Sequence, residues 1–201
     1  DAMLPFYKDL WGNPSSMHNF GGQLSKHIDE AREKMAKLIN AKRVSEIVIT
    51  SGGTESDNAA IMGTLEANPN KRHIITTSVE HPAIRSLCQA LTKKGYEVTE
   101  LPVDRSGNLN LDDLKNAIKE ETAIVSIMWA NNETGVIFPI KEIANICQDA
   151  GVPLHTDAVQ AAGKIPIDVQ RYPIDFLSVS AHKLHGPKGI GFLYIKRGTK
   201  F

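Results

Sequence analysis

The feature that most constrains the fold of this 201-residue chain is a regular alternation of short apolar runs with helix-like patterns. Seven of the runs have the length and composition of buried strands, and turn residues bound them. The predicted strands are residues 46–50, 73–77, 96–101, 123–128, 152–157, 175–180 and 190–195. The predicted helices are residues 24–40, 55–66, 83–94, 111–120 and 139–151. This alternation predicts an α/β domain with a mostly parallel, seven-stranded sheet.

The composition argues against several classes of protein. Lys and Arg together number 23, as do Asp and Glu, so no basic excess exists to attract nucleic acid or anionic lipid. The longest uncharged apolar run, residues 123–130, is far shorter than the roughly 20 residues of a membrane-spanning helix. Two cysteines, Cys88 and Cys147, cannot form a disulfide framework. We therefore expect a cytoplasmic protein that binds neither nucleic acid nor membrane.

Polar clusters follow five of the predicted strands, at the point where each strand ends. The clusters are residues 51–55, 80–82, 131–135, 155–157 and 180–183. Parallel strands end at the same edge of a sheet, and ligands of such folds bind at that edge. The sequence therefore predicts one ligand site to which all five clusters contribute.

The first cluster has the composition of an anion-binding loop. Gly52 and Gly53 let the backbone approach a ligand, Thr54 adds a hydroxyl donor, and the following helix would offer free N–H groups to a phosphate. The loop matches neither a Walker motif nor a dinucleotide-binding fingerprint. An ordinary turn in which Thr54 caps the helix is the alternative.

Asp157 ends a predicted strand and is open to three interpretations. With His155, which shares its face of the strand, it could bind a metal ion, although no third ligand stands at a recognisable spacing. It could instead cap the turn that follows. Its carboxylate could also hold a cationic heterocyclic nitrogen, because an ionised carboxylate raises the pKa of a neighbouring base.

Lys183 follows another predicted strand, close to an apolar run. Desolvation in such a setting lowers the pKa of a lysine, which then serves as a Schiff-base nucleophile. A solvated surface lysine is the alternative for Lys183, and a metal site is the alternative for His182 and His185.

His81 is a candidate for a flat side chain at the same edge of the sheet. It follows a predicted strand and precedes Pro82, and its alternative is an ordinary loop histidine. A lysine, a carboxylate, a helix N-terminus for a phosphate and a flat ring are together what pyridoxal 5′-phosphate requires of a protein. The clusters therefore favour chemistry based on that cofactor.

Several runs resemble those of class V aminotransferase-like enzymes of fold type I, and within them the cysteine desulfurases of the NifS/IscS group. Residues 180–189 (SAHKLHGPKG) resemble the segment that carries the cofactor lysine. Further runs that resemble this group, in the same order along the chain, are GNPSS at 12–16 with His18, TSGGTESDN at 50–58, EHP at 80–82, NNETG at 131–135 and HTDAVQ at 155–160. The resemblance covers about residues 12–197.

The resemblance implies a three-layer fold, pyridoxal 5′-phosphate as cofactor and a role for each matching residue. Lys183 would bind the cofactor covalently and move the Cα proton of the substrate, and His81 would stack on the ring and assist that transfer. Asp157 would pair with the ring nitrogen, Gln160 would hydrogen-bond the phenolic oxygen, and Asn132 would lie near the substrate carboxylate and the ring oxygen. The residues implied to hold the phosphate are Gly53, Thr54, Ser180 and His182.

The enzymes that the chain resembles convert L-cysteine to L-alanine. They leave the sulfur as a persulfide on an enzyme cysteine, from which it passes to an iron–sulfur scaffold protein, and they act as homodimers. On this basis residues 1–201 are expected to be the pyridoxal-phosphate-binding large domain. The family's first strand, its nucleophilic cysteine and its carboxylate-binding arginine would lie outside the chain.

Neither cysteine of the chain is expected to replace that nucleophile. Cys88 and Cys147 lie in predicted helices near core positions, where burial raises the pKa of a thiol and makes it a poor nucleophile. Two alternatives to a cysteine desulfurase stay open. One is another enzyme of the same class, such as a selenocysteine lyase, and the other is a catalytically silent interaction module.

Overall fold

A computed structural model describes residues 2–201 and leaves Asp1 outside the description. The strands of its single sheet are β1 (Ile47–Thr50), β2 (His73–Thr77), β3 (Glu97–Leu101), β4 (Thr122–Ser126), β5 (Leu154–Asp157), β6 (Phe176–Ser180) and β7 (Gly191–Ile195). The helices are α1 (Leu4–Lys8), α2 (Asn19–Leu38), α3 (Gly53–Ala67), α4 (Pro82–Lys93), α5 (Leu111–Ala117) and α6 (Ile140–Asp149). In the described part of the chain, no helix is both long enough and apolar enough to cross a membrane.

The sheet is mostly parallel, as the sequence predicts. Its strand order is β1-β7-β6-β5-β4-β2-β3, and only β7 runs against its neighbours. Residues 181–190 join β6 to β7. This connection is shorter than the dozen or so residues that a parallel crossover requires, so β7 returns antiparallel. All other strands therefore end at one edge of the sheet, where β7 begins.

Helices cover both faces of the sheet and complete the three-layer fold. The strands β2, β4, β5 and β6 are buried along their whole length, as expected of strands inside a sheet that is covered on both faces. One face packs against α3 and α4 through a core that includes Ile61, Ile74, Ile84, Ile124 and Phe176. The other face packs against α2, α5 and α6 through a core that includes Ala36, Ile75, Leu114, Val125, Ile143 and Leu154.

Some helix boundaries differ from those predicted from the periodicity of the sequence. The helix predicted from residue 24 begins at Asn19, before its apolar stripe, and His18 Nδ1 accepts a hydrogen bond from the N–H of Gly21. The helix α5 ends at Ala117 instead of residue 120, because the backbone at Ile118 is already extended. The short helix α1 was not predicted, and it contains no buried residue that would have created an apolar pattern.

Gly191, at the start of β7, lets three segments meet closely at the edge where the strands end. A Cβ atom there would collide with the carbonyl oxygen of Val179 and lie 2.8 Å from the Cα atom of Gly52. We predict that Gly191→Ala lowers the free energy of unfolding by about 1–3 kcal/mol, as overpacking does. Urea denaturation of the full-length protein measures this. Gly22→Ala is the control, because Gly22 is exposed on α2 with open space around it, and an equal loss in both variants would contradict the prediction.

Candidate active site

A cavity of about 160 Å³ lies at the edge where the parallel strands end. It is lined by Gly53, Thr54, Asp57, His81, Met128, Ala130, Asn132, Asp157, Val159, Gln160, Ser180, His182 and Lys183. Every residue to which the family resemblance gives a role with the cofactor or the substrate is in this set. Larger, more open clefts occur elsewhere, such as one of about 540 Å³ near the opposite ends of the strands, but none of the candidate residues lines it. The small cavity is therefore the candidate active site.

One end of the cavity is formed by the N-terminus of α3. Gly52 precedes the helix without a capping side chain, and the N–H groups of Gly53 and Thr54 have no hydrogen-bond partner within residues 2–201. A Cβ atom on Gly53 would lie 2.9 Å from Val159 Cγ2, so glycine is needed for this approach. Thr54 is the second residue of the helix, so the alternative in which it caps the helix is wrong. The free N–H groups can bind an anion such as a phosphate.

Ser180 and His182 stand beside this helix terminus. A Cβ atom on Gly52 would lie 3.6 Å from Ser180 Oγ, so the last residue of β6 reaches the loop before α3. Ser180 Oγ lies 2.8 Å from His182 Nδ1. The hydroxyl and the imidazole thus add two polar groups to the end of the cavity that favours an anion.

Asp157 lies at the end of β5 and is buried. The N–H of Val159 donates to Asp157 Oδ1 at 2.9 Å, so the side chain does cap the turn, but it uses only one oxygen. Burial is the main cause that raises the pKa of Asp157 to about 8, and the nearby Asp57 carboxylate raises it further. A cation in the cavity would reverse both effects and bind strongly to the ionised carboxylate.

The metal-site alternatives have no support in the described residues 2–201, where no three His, Cys, Asp or Glu side chains are grouped to hold an ion. The ring nitrogens of His155 face serines instead, with Nδ1 at 2.8 Å from Ser126 Oγ and Nε2 at 2.9 Å from Ser178 Oγ. His185 is exposed and has a φ of 60°, which identifies it as a turn residue.

Lys183 and His81 are both exposed and both line the cavity. Lys183 ends a short 3-10 turn after β6. Because Lys183 is exposed, residues 2–201 do not supply the desolvation that its sequence setting predicted. His81 caps α4, where its Nδ1 accepts a hydrogen bond from the N–H of Ala83 at 3.1 Å, and this contact fixes the ring beside the cavity.

Gln160 and Asn132 offer amide groups to the cavity. In the described structure, Gln160 Oε1 accepts a hydrogen bond from Lys164 Nζ at 3.0 Å, and Asn132 Nδ2 donates to Glu133 Oε1 at 2.6 Å. Both contacts involve long, exposed partners. The two amides are thus free to exchange these partners for a ligand.

The sequence analysis missed Asn131, which organises the loop that presents Asn132. Asn131 is buried, and its Oδ1 accepts hydrogen bonds from the N–H groups of Glu133 and Thr134 and from the Thr134 hydroxyl. Its Nδ2 donates to the carbonyl of Val79 at 3.2 Å. The turn-forming tendency of Asn was a usable signal, but two adjacent asparagines do not reveal which one faces inward.

Glu80 belongs to the EHP run, for which the sequence predicted no role for the glutamate. In the structure it is buried beneath the cavity. Its Oε1 accepts hydrogen bonds from Thr77 Oγ1 at 2.7 Å and from the N–H of Met128 at 3.0 Å, while its Oε2 has no partner. Burial is the main cause that raises the pKa of Glu80 to about 8. Glu80 therefore joins the loops after β2 and β4 mainly in its neutral form.

The cysteines are buried, as predicted. Cys88 on α4 and Cys147 on α6 are both free thiols, and burial raises the pKa of each to about 12. Neither lines the cavity.

Comparison with known proteins agrees with this geometry. The family "Aminotransferase class-V" matches residues 1–200. The cysteine desulfurase NifS of Azotobacter vinelandii is 52% identical over 200 residues, which are 100% of this chain and 50% of that protein. The chain thus spans about half the length of the curated relatives it matches.

Two solved structures share the fold. One described as a NifS-like protein has a TM-score of 0.95 and 41% identity, covering 99% of this chain and 55% of the other. One described as SspA in complex with cysteine has a TM-score of 0.94 and 37% identity, covering 100% of this chain and 58% of the other. These similarities bear out the predicted fold and the resemblance stated from the motifs.

The role of Asn131 can be tested by truncation. We predict that Asn131→Ala lowers the free energy of unfolding by about 1–3 kcal/mol, because the partly buried N–H groups of Glu133 and Thr134 lose their acceptor. Amide hydrogen exchange at Glu133 and Thr134 is expected to accelerate. Asn132→Ala is the matched control and is expected to leave both quantities near wild type, since its side chain is exposed. Similar exchange in the two variants would rule out the assigned role.

The raised pKa of Glu80 predicts how stability depends on pH. Between the usual pKa of a glutamate and about 8, the folded protein binds more protons than the unfolded chain, so stability falls as the pH rises through this range. Gln resembles neutral Glu. We therefore expect cofactor-free Glu80→Gln to match wild type near pH 5 and to exceed it in unfolding free energy at about pH 9. Glu66→Gln, at an exposed site, should show no such gain, and equal pH profiles for Glu80→Gln and wild type would refute the prediction.

Proposed function

Because this chain belongs to the class-V aminotransferase family, we propose that the protein is a pyridoxal-phosphate-dependent cysteine desulfurase. The observation that carries the proposal is the convergence of a lysine, a buried carboxylate and an uncapped helix N-terminus on one cavity. Relatives named cysteine desulfurase, which match the whole chain at 52–54% identity, support the choice of reaction.

The residues of the cavity fit pyridoxal 5′-phosphate. The free N–H groups at the start of α3 suit its phosphate, and the buried Asp157, with one oxygen left without a hydrogen bond in the described chain, suits its ring nitrogen. When bound, the cofactor supplies a protonated ring that accepts the electrons released at the substrate's Cα atom. A neutral Asp157 would not stabilise the proton on the ring nitrogen, so the cavity fits the cofactor with Asp157 in its ionised form.

Each lining residue then has a defined task. The N–H groups of Gly53 and Thr54, with Ser180 and His182, bind the phosphate. Asp157 keeps the ring nitrogen protonated, Gln160 donates to the phenolic oxygen, and His81 stacks on the ring. Lys183 would hold the cofactor covalently, and its amine, helped by His81, would move the Cα proton of the substrate. Asn132 orients the substrate carboxylate.

The proposed reaction balances without an external oxidant. L-cysteine and an enzyme thiol give L-alanine and an enzyme persulfide, since the C–S bond of cysteine breaks, an S–S bond forms and a proton reaches the carbon that lost sulfur. Cys88 and Cys147 are buried with raised pKa values, so the accepting thiol belongs to a different cysteine. We infer that residues 1–201 are the cofactor-binding domain and that the protein acts as a homodimer that passes sulfur to an iron–sulfur scaffold protein.

The assignment of Lys183 gives the sharpest test of the cofactor. We predict that borohydride reduction of the full-length protein, purified with pyridoxal 5′-phosphate, adds one pyridoxyl group to Lys183, and that Lys183→Ala carries none. Peptide mass spectrometry and the visible spectrum measure this. Lys188→Ala, in the same turn and exposed, should keep the adduct. An adduct that persists in Lys183→Ala would refute the assignment.

The substrate is tested by following alanine formation from L-cysteine and from L-selenocysteine. The proposal requires alanine and enzyme-bound sulfur from L-cysteine. Alanine from selenocysteine alone would indicate a selenocysteine lyase. Tight binding of the cofactor without either reaction would indicate the silent interaction module.

A further inference from the structure

One buried charge in the cavity has no task in the proposed reaction. Asp57 belongs to α3, is 1% exposed and lines the same cavity as Asp157. Neither of its carboxylate oxygens accepts a hydrogen bond from any described residue, and Oδ1 is fully buried without a partner. A carboxylate in this state costs folding free energy unless a positive charge comes near. Its position therefore points to a cationic ligand.

His155 is the one group in the described chain placed to balance Asp57. Its Nε2 lies 3.5 Å from Asp57 Oδ1, and both side chains are almost completely buried. The ring is held between Ser126 and Ser178, so that a row of polar groups crosses β4, β5 and β6. A serine hydroxyl accepts as well as donates, and this arrangement can therefore hold an imidazolium with a proton on each nitrogen.

The pair stands directly behind Asp157. His155 and Asp157 are two positions apart on β5 and share a face of the sheet, and α3 packs on that face. The Asp57 carboxylate also acts on Asp157 as a like charge. The cavity is thus lined by one acid with an oxygen free for a ligand and by a second buried acid whose charge acts on the first.

We propose that Asp57, held against His155, is a positioning residue that acts as a second buried anion behind Asp157 and keeps the ring nitrogen of the cofactor protonated. The inference rests on the proposed function, because it assumes that a pyridoxal ring occupies the cavity. Asp157 contacts the ring nitrogen directly, and Asp57 acts through the electrostatic field of its negative charge.

The other ionisable groups around Asp157 do not cancel the negative charges of Asp157 and Asp57. Glu80 comes from the loop after β2, and with its pKa raised to about 8 it is mostly neutral near pH 7. His81 enters from the start of α4, where its Nδ1 accepts a backbone hydrogen bond. His182 and Lys183 enter from the turn after β6 on the phosphate side and the open side of the cavity. With the cofactor bound, the ring nitrogen would face the carboxylate of Asp157, and His155 lies against Asp57.

Asp57→Asn in the full-length protein tests the inference. We expect its dissociation constant for pyridoxal 5′-phosphate to rise about ten-fold or more, because one buried charge near the ring is lost. The pH at which the bound ring nitrogen loses its proton, followed by NMR with ¹⁵N-labelled cofactor, should fall by about one unit. Glu66→Gln makes the same charge change at the exposed end of α3, and it should leave both values at wild type.

Stability separates this role from a structural one. If Asp57 serves the ligand, cofactor-free Asp57→Asn loses a buried charge that accepts no hydrogen bond from a described residue, so it should melt at or above the wild-type temperature while binding the cofactor more weakly. A cofactor-free variant that melts lower and binds the cofactor as wild type does would assign Asp57 to the fold and overturn the inference.

His155→Gln provides a second, independent variant. His155→Gln removes the ring nitrogen that lies 3.5 Å from Asp57 Oδ1, so it should weaken cofactor binding as Asp57→Asn does. The double variant should then bind no more weakly than Asp57→Asn alone. Additive losses would overturn the pairing of the two residues.

Asp157→Asn distinguishes the two proposals. If wild type binds no pyridoxal 5′-phosphate, the proposed function fails. If Asp157→Asn weakens binding but Asp57→Asn does not, the function stands and the role of Asp57 is wrong.

Discussion

The common direction of six strands is the constraint on which the rest of the structure depends. Because β1 and β2 to β6 all end at one edge, residues separated by more than a hundred positions in the sequence meet there. Gly53, His81, Asn132, Asp157 and Lys183 each follow a different strand, yet they line one cavity. The antiparallel β7 contributes to this convergence, because the short connection between β6 and β7 keeps Lys183 at that edge.

The cavity is built at a cost to the fold. Three carboxylates lie within or beneath it, and two of them, Glu80 and Asp157, have pKa values raised to about 8. The third, Asp57, has a buried oxygen that no described residue satisfies. Buried acids of this kind weaken a protein that has nothing to bind, so their grouping is better explained by a ligand than by packing.

Local patterns made most of the fold and the site predictable, and long-range contacts account for the rest. Residues 73–77 were predicted and observed as a strand with the same bounds, because their Ile and Thr side chains are β-branched and favour a strand. The edge rule for parallel strands then placed every candidate residue at one site. The task of Asn131 and the pairing of Asp57 with His155 could not be predicted, since each depends on which side chains the folded sheet brings face to face. The exposure of Lys183 likewise depends on its surroundings in space.

The raised pKa values have a consequence for how the site fills. While the cavity lacks a cation, Asp157 holds a proton over much of the neutral range. An arriving cation needs the ionised carboxylate, so that proton must leave for the solvent or pass to the ligand. Ligand binding therefore replaces the proton on Asp157 with another positive charge, so a proton and a cationic ligand compete for the same carboxylate oxygen.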